Sequence, residues 1–375
     1  MKILHYINNL GSGGAEKLLT DILPLMVERG HVVHLAYSNN KANVKKFDEE
    51  IEKVGIVVFN FNMSFYNPFQ VLKLVQLLKK GKYDIVHAHL FPTQYWLAFA
   101  SRIISSGTKL IKTEHSIHNR RMEFKIINPL EKWIYDRFDG LIAITHKVKE
   151  NLSNWLKEEN KIVVINNGVN ISKMELLKND HRKDDLQLFS PNYYNILMVG
   201  RFNYPKDQIS LIKAISYLPD RYRLFFAGYG DHLDKAKQLV LDLNLKTRVQ
   251  FLGIRTDVYI LMSLADLNVL STNHEGLSGV ALESMASGRP FIGTNVAGVN
   301  DVVPDDKFLF PKSNPEKLAE KIDEISKNKV LERHLINKGL EHAKKFDINK
   351  MVDNYLNVYQ LCLDGNVLLI RYLTL

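Results

Sequence analysis

What most constrains this chain is an alternation, run through twice, of short apolar stretches with amphipathic segments of helical period. In the first half Ile3–Ile7, Val32–Tyr37, Gly55–Phe59, Asp84–Ala88, Leu110–Thr113, Gly140–Ile144 and Ile162–Ile165 read as strands. Ala15–Arg29 reads as a helix stopped by Gly30, and Pro68–Lys80 repeats apolar residues at helical spacing with lysines opposite. A second series runs through Tyr194–Val199, Arg223–Ala227, Val249–Leu252, Leu267–Leu270 and Phe291–Ile292. Strand alternating with helix calls for parallel sheets covered by helices. The expected fold class is therefore α/β, with two Rossmann-like domains facing a cleft. The boundaries fall at 1–170 for the first domain, 171–192 for a polar linker without strong period, and 193–345 for the second domain. In the closing segment 346–375, Met351–Leu363 carries Tyr355, Val358, Tyr359 and Cys362 at helical spacing, and residues 364–375 are apolar and fit no element.

A length of 375 residues is comfortable for two domains. A single cysteine, Cys362, leaves no internal disulfide framework and no cysteine-based zinc site, as suits a reducing cytoplasm. No run of eighteen apolar residues exists, and Ile3–Ile7 is too short for a signal peptide, so the expectation is a soluble or peripheral protein. Positive charge is concentrated early. Residues 1–180 hold 25 Lys and Arg against 18 Asp and Glu, and residues 181–375 hold 25 against 23. No zinc-finger spacing or aromatic ribonucleoprotein motif accompanies that charge, so nucleic acid is not expected as a partner.

Chemistry concentrates between Ser271 and Asn300, STNHEGLSGVALESMASGRPFIGTNVAGVN. A strand leads into Glu-Gly, a small-residue loop, a helix, Gly-Arg-Pro and another strand. Glu275 belongs to the loop and Glu283, eight residues on, to the helix, so the two carboxylates flank a helix N-terminus. Backbone N–H groups of Gly276, Leu277, Ser278 and Gly279 there suit an anion, phosphate above all. Ionised carboxylates accept paired hydrogen bonds from vicinal hydroxyls. For an isolated pair of glutamates a capped helix with solvated side chains would be the simpler account.

The whole arrangement, and EGLSGVALESMASGRPFIGTNVAGV in particular, resembles the Glu-x7-Glu signature of retaining GT-B glycosyltransferases, family 4 (glycosyl transferases group 1). The likeness runs from Met1 to about Leu363. It implies a GT-B fold whose C-terminal helix crosses back onto the first domain. It also implies a metal-independent sugar transfer from a nucleotide donor with retention, Glu275 holding donor-sugar hydroxyls and Glu283 the ribose.

Arg201 and Lys206, in MVGRFNYPKD, follow the first strand of the second half, a planar fork and a point charge able to neutralise a leaving diphosphate. They match the family's cationic pair. AGYGD, with Gly228, resembles the family's turn near the donor, and the resemblance of FLGIRTDV implies Ile254 or Arg255 beside the base. In NNLGSGGAEKLL the glycine spacing fails the dinucleotide fingerprint, and no acid ends VVHLAY. Gly13 and Gly14 resemble the family's GGAE loop, with a plain turn as the other reading. His87, His89, His115 and His118 gather at strand ends, but no ligand spacing supports a metal, and none is expected. The T-x-H pattern of the family points to His115 as a sugar contact.

The reading is a retaining hexosyltransferase with no cofactor, a nucleotide-sugar substrate, and a glycan or lipid-linked acceptor in polysaccharide or glycoconjugate biosynthesis. Uridine diphosphate is the expected carrier by family frequency, guanosine diphosphate the next. A sugar-nucleotide epimerase, a phosphorylase (for which no pyridoxal lysine can be placed) and a non-catalytic sugar-nucleotide-binding subunit are the rivals. Aromatic and basic residues interleave at Phe65–Lys82 and Arg120–Arg137, which suits peripheral contact with an anionic membrane or, equally, helices packed on the sheet. The sugar, the linkage and the oligomeric state are not legible.

Overall fold

The computed structural model describes residues 1–11, 13–103, 107–116, 121, 124, 126–177 and 188–366. Two compact units result: Met1–Asn167 with Ile348–Leu375, and Gly168–Asp347. The sequence puts these boundaries at 170 and 346. Of the stretch read as a linker, Ile171–Leu177 is a helix of the second unit, and 178–187 lie outside the described residues. Most of the apolar segment 364–375, from 367 on, also lies outside them.

The first unit holds seven strands: β1 (Lys2–Ile7), β2 (Val32–Tyr37), β3 (Val57–Asn60), β4 (Ile85–His89), β5 (Lys109–Glu114), β6 (Gly140–Ala143) and β7 (Ile162–Val164). They pair in parallel in the order β3-β2-β1-β4-β5-β6-β7. Strands of a parallel sheet are covered on both faces, so their side chains are apolar almost throughout. Every residue of β4 and β6 is buried, whereas β3, at the edge, is half exposed.

Helix Ile348–Leu363 belongs to this unit although it comes last in the chain. Tyr355, Val358, Tyr359 and Cys362 are its wholly buried stripe, packed in one core with β1 and helix Gly14–Glu28. Burying Val358 alone is worth roughly 1.5–3 kcal/mol. On the rim Arg29 donates from Nε to Asp353 at 2.6 Å and from a terminal nitrogen to Asn349 at 3.1 Å.

Under that helix lies a knot of histidines. His5 on β1 and His87 on β4 are partners in register, and His89 follows on the same face. His5 Nδ1 and His89 Nε2 are 3.0 Å apart, while His87 joins Tyr359 OH at 2.6 Å and Thr113 Oγ1 at 2.8 Å. Burial holds His5 down to about 3, and pushes His87 and His89 far below the ordinary imidazole range, assisted by repulsion from neighbouring histidines and Lys112. The three rings are therefore neutral at physiological pH.

The second unit holds β8 (Tyr194–Val199), β9 (Tyr222–Ala227), β10 (Val249–Phe251), β11 (Leu267–Leu270), β12 (Phe291–Thr294) and β13 (Leu309–Phe310). They too are parallel, in the order β10-β9-β8-β11-β12-β13. Strand order reverses between β8 and β11, and in such sheets ligands bind beyond the carboxyl ends of the strands at that reversal.

Two outcomes follow for the first unit. Tyr359→Phe strands a buried nitrogen of His87 and should cost about 1–3 kcal/mol in urea unfolding. Because the histidines protonate more readily when unfolded, near pH 6.5, than when folded, stability is full above that pH and falls as pH drops toward 3. Buried Glu131, raised to about 7, acts in the opposite sense, since its contribution is lost as pH rises through that value. The three histidines, joined by His115, which burial lowers to about 4, outweigh Glu131, so the urea midpoint should fall between pH 6.5 and 4, and His5→Phe should flatten the slope.

Candidate active site

At the reversal point of the second unit, the connection after β8 and the connection after β11 are stitched together. The Asp207 N–H donates to the Ser271 carbonyl at 3.0 Å and the Asn273 N–H to the Pro205 carbonyl at 2.8 Å, with Lys206 bridged to Thr272 between them. Thr272 adds a hydroxyl bond to Pro205 at 3.3 Å. This clip aims Lys206 along the second loop toward Glu275. Lys206 Nζ lies 2.5 Å from Glu275 Oε1, with the two side chains only 14% and 15% exposed.

A third loop, after β12, holds Glu275 from behind. Its N–H donates to the Ala297 carbonyl at 3.1 Å, and Gly298, at φ +76, lies so close that a Cβ would strike the Glu275 carbonyl. Only glycine fits there, for conformation and for space. The following helix, Gly279–Ala286, is capped by Ser278, whose Oγ accepts the Ala281 N–H at 3.3 Å. The Ser278 amide itself is spent on the Gly298 carbonyl at 3.0 Å. Of the four amides expected to meet a phosphate, Ser278 is therefore withdrawn. Among the described residues, those of Gly276, Leu277 and Gly279 carry no intramolecular hydrogen bond.

Glu283 sits within the helix, one side of its carboxylate accepting from Tyr259 OH at 3.3 Å. Arg255 forks onto Asp257, two residues on, so part of its charge is already met, and Ile254 beside it is exposed. Gly228 serves the site by contact. At φ +153 it packs on the Gly200 carbonyl and supports the loop that carries Arg201 and Lys206. Arg201 is exposed, and its guanidinium makes no hydrogen bond or ion pair among the described residues.

The remaining sequence candidates belong to the first unit. His115 directly follows β5, with its ring 5.8 Å from that of His89. Its Nε2 is buried without a partner among the described residues, and burial lowers its pKa to about 4, Glu114 opposing and Lys112 assisting. A neutral imidazole with an unused nitrogen suits a hydroxyl. Gly13 caps helix Gly14–Glu28 in extended conformation, and the Glu16 carboxylate occupies the space a side chain on Gly13 would need. Gly14 is unobstructed, and His118 lies outside the described residues.

Sequence reasoning missed the clip residues Pro205, Thr272 and Asn273, which bear no charge, and Gly298, whose role is visible only against Glu275. It also missed His5, which completes a group of three histidines with donor atoms within 4.8 Å of one another. Both nitrogens of His87 and one of His5 are already hydrogen bonded, so the group reads as core packing.

Comparison with known proteins bears on family and fold. Residues 12–173 match the family model for Glycosyltransferase Family 4, and residues 178–342 that for Glycosyl transferases group 1. N-acetyl-alpha-D-glucosaminyl L-malate synthase of Bacillus anthracis is 24% identical across 92% of this chain and 93% of its own. UDP-Gal:alpha-D-GlcNAc-diphosphoundecaprenol alpha-1,3-galactosyltransferase of Escherichia coli is 28% identical across 77% and 78%. Among solved structures, Anabaena Alr3699/HepE in complex with UDP and glucose has a TM-score of 0.81 at 23% identity, covering 96% of this chain and 99% of that one. The two matched segments take in nearly the whole chain, and the protein belongs to the group 1, family 4 glycosyltransferases, with the GT-B fold.

Proposed function

We propose that the chain transfers a hexose from a uridine diphosphate carrier to a hydroxyl of a glycan or lipid-linked acceptor, with retention and without a metal. The observation that carries this reading is the Lys206–Glu275 pair at the strand reversal, beside the amides of Gly276, Leu277 and Gly279. Lys206 and Arg201 neutralise the leaving diphosphate, the amides bind its oxygens, Glu275 accepts from donor-sugar hydroxyls and Glu283 from the ribose. His115 contributes a neutral hydrogen-bonding ring to the sugar, and Ile254 and Arg255 border the base. The E. coli relative is named for UDP-Gal, and the Anabaena structure holds UDP, which favours uridine.

Retention by double displacement needs a carboxylate nucleophile at the anomeric carbon, as in retaining hydrolases. Glu275 is tied to a lysine and Glu283 lies within the helix, so neither is placed for that role. A front-face substitution fits better. The acceptor oxygen bonds to the anomeric carbon as the bond to the diphosphate oxygen breaks, and that departing oxygen takes the hydroxyl proton. Binding of UDP should raise the melting temperature and survive chelator. Lys206→Ala should abolish the shift and lower kcat/KM by about 10²–10³-fold. A shift that vanishes with chelator would refute the metal-free reading, and trapping of a covalent glycosyl-enzyme would refute the front-face one.

Peripheral membrane contact is part of the proposal, since the E. coli relative is named for a diphosphoundecaprenol-linked acceptor. Tyr66, Phe69 and Leu72 are 67%, 63% and 56% exposed on the first unit. The Tyr66 ring lies 6.0 Å from that of Phe91, over which the Arg121 guanidinium sits at 4.1 Å. Lys73, Lys79, Lys80 and Lys82 share the stretch 65–82, which holds no Asp or Glu. No helix among the described residues is long and apolar enough to cross a membrane. Vesicles rich in phosphatidylglycerol should float the protein at low salt and release it at high salt, and Phe69→Ser with Leu72→Ser should weaken flotation. Absence of flotation at low salt would refute the contact.

A further inference from the structure

The two residues given to different parts of the donor are holding each other. Lys206 is the phosphate cation and Glu275 the sugar acceptor, yet they meet at 2.5 Å in a setting that is mostly shielded from water. Three loops fix this geometry: the clip after β8 and β11 aims the lysine, and Gly298 with the Ala297 carbonyl fixes the backbone of Glu275. A diphosphate arriving at Lys206 therefore meets a carboxylate already in place. Partial burial makes that encounter costly, because charges shielded from water repel strongly and a stranded carboxylate has few other donors.

The cost differs between ligands. A nucleotide sugar brings hydroxyl donors that satisfy Glu275 when the lysine turns to phosphate, and both phosphates are esterified, for a charge of about −2. A free nucleoside diphosphate brings no such hydroxyl to that position. Its terminal phosphate ionises a second time near pH 6, for a total of about −3 at neutral pH. Resting on the transferase reading above, we propose that Glu275 discriminates donor from product: it penalises the bare nucleoside diphosphate, so that the loss of the sugar in the reaction itself weakens the hold on what remains. Product departure sets turnover in many enzymes. Here the carboxylate that orients the sugar also expels the leaving group's carrier.

Calorimetric titration of UDP and UDP-glucose into wild type, Glu275→Gln, Glu275→Ala and Lys206→Ala tests this. Both Glu275 variants should bind UDP about tenfold tighter than wild type, while UDP-glucose binds no tighter or weakens, so the preference for donor over product collapses. Lys206→Ala should weaken both ligands. Unliganded melting curves identify any variant that fails to fold, and the two Glu275 variants then serve for each other. If wild type binds UDP and Lys206→Ala loses it, but neither Glu275 variant gains affinity for UDP, the discrimination is overturned and the transferase reading stands. If wild type binds neither UDP nor UDP-glucose, both fall.

Discussion

Strands β8 and β11 lie side by side while the chain between them passes through β9 and β10, and most of the candidate site follows from that neighbouring. Parallel strands discharge their connections at one edge. Where the sheet winds outward in both directions, the two connections leaving the central pair are the ones that can meet a ligand together. Lys206 and Glu275 are 69 residues apart in sequence and reach hydrogen-bond distance because their loops leave those two strands. The interlocked carbonyls and amides of Pro205, Ser271 and Asn273 then remove the freedom the loops would otherwise have. Catalytic geometry of this kind is only as good as its support, and here the support is backbone, which does not depend on side-chain rotamers.

Much of this was legible in the sequence for a simple reason. Strands covered on both faces must be apolar, so VVHLAY and YNILMV stand out, and Glu275 and Glu283 stand in a pattern of strand, loop and helix that matches a family signature. Edges were harder. Leu309–Phe310 pairs through only two residues, too few for any period, and Val57–Asn60 is half exposed, so its start is blurred. Ile171–Leu177, seven residues at the head of a polar stretch, is too short for its apolar residues to show a period, yet forms a helix. The inner workings of the site were not legible at all. Whether the Ser278 amide is available depends on Gly298, and whether Lys206 is unengaged depends on Glu275. Both are facts of distance between loops.

The histidines show the same limit from the other side. Sequence puts His87 and His89 on one face of a strand, a pattern that argues against metal but does not separate packing from contact with a substrate. The structure separates the roles by what surrounds each ring. His87 is saturated by Tyr359 and Thr113, whereas His115 retains a buried nitrogen without a partner among the described residues. Burial makes them neutral, and hydrogen bonding decides which has capacity left for a substrate.

Helix Ile348–Leu363 gives the first unit a peculiar relation to the order in which the chain is made. The second unit is one unbroken segment, whereas the first is finished by residues that leave the ribosome after it. Until Tyr355 and Tyr359 arrive, the floor of the first core and the histidines beneath it lie open to water. The unit synthesised first is therefore the one completed last. Its sheet must wait, partly uncovered, while some 180 residues of its neighbour are added and folded.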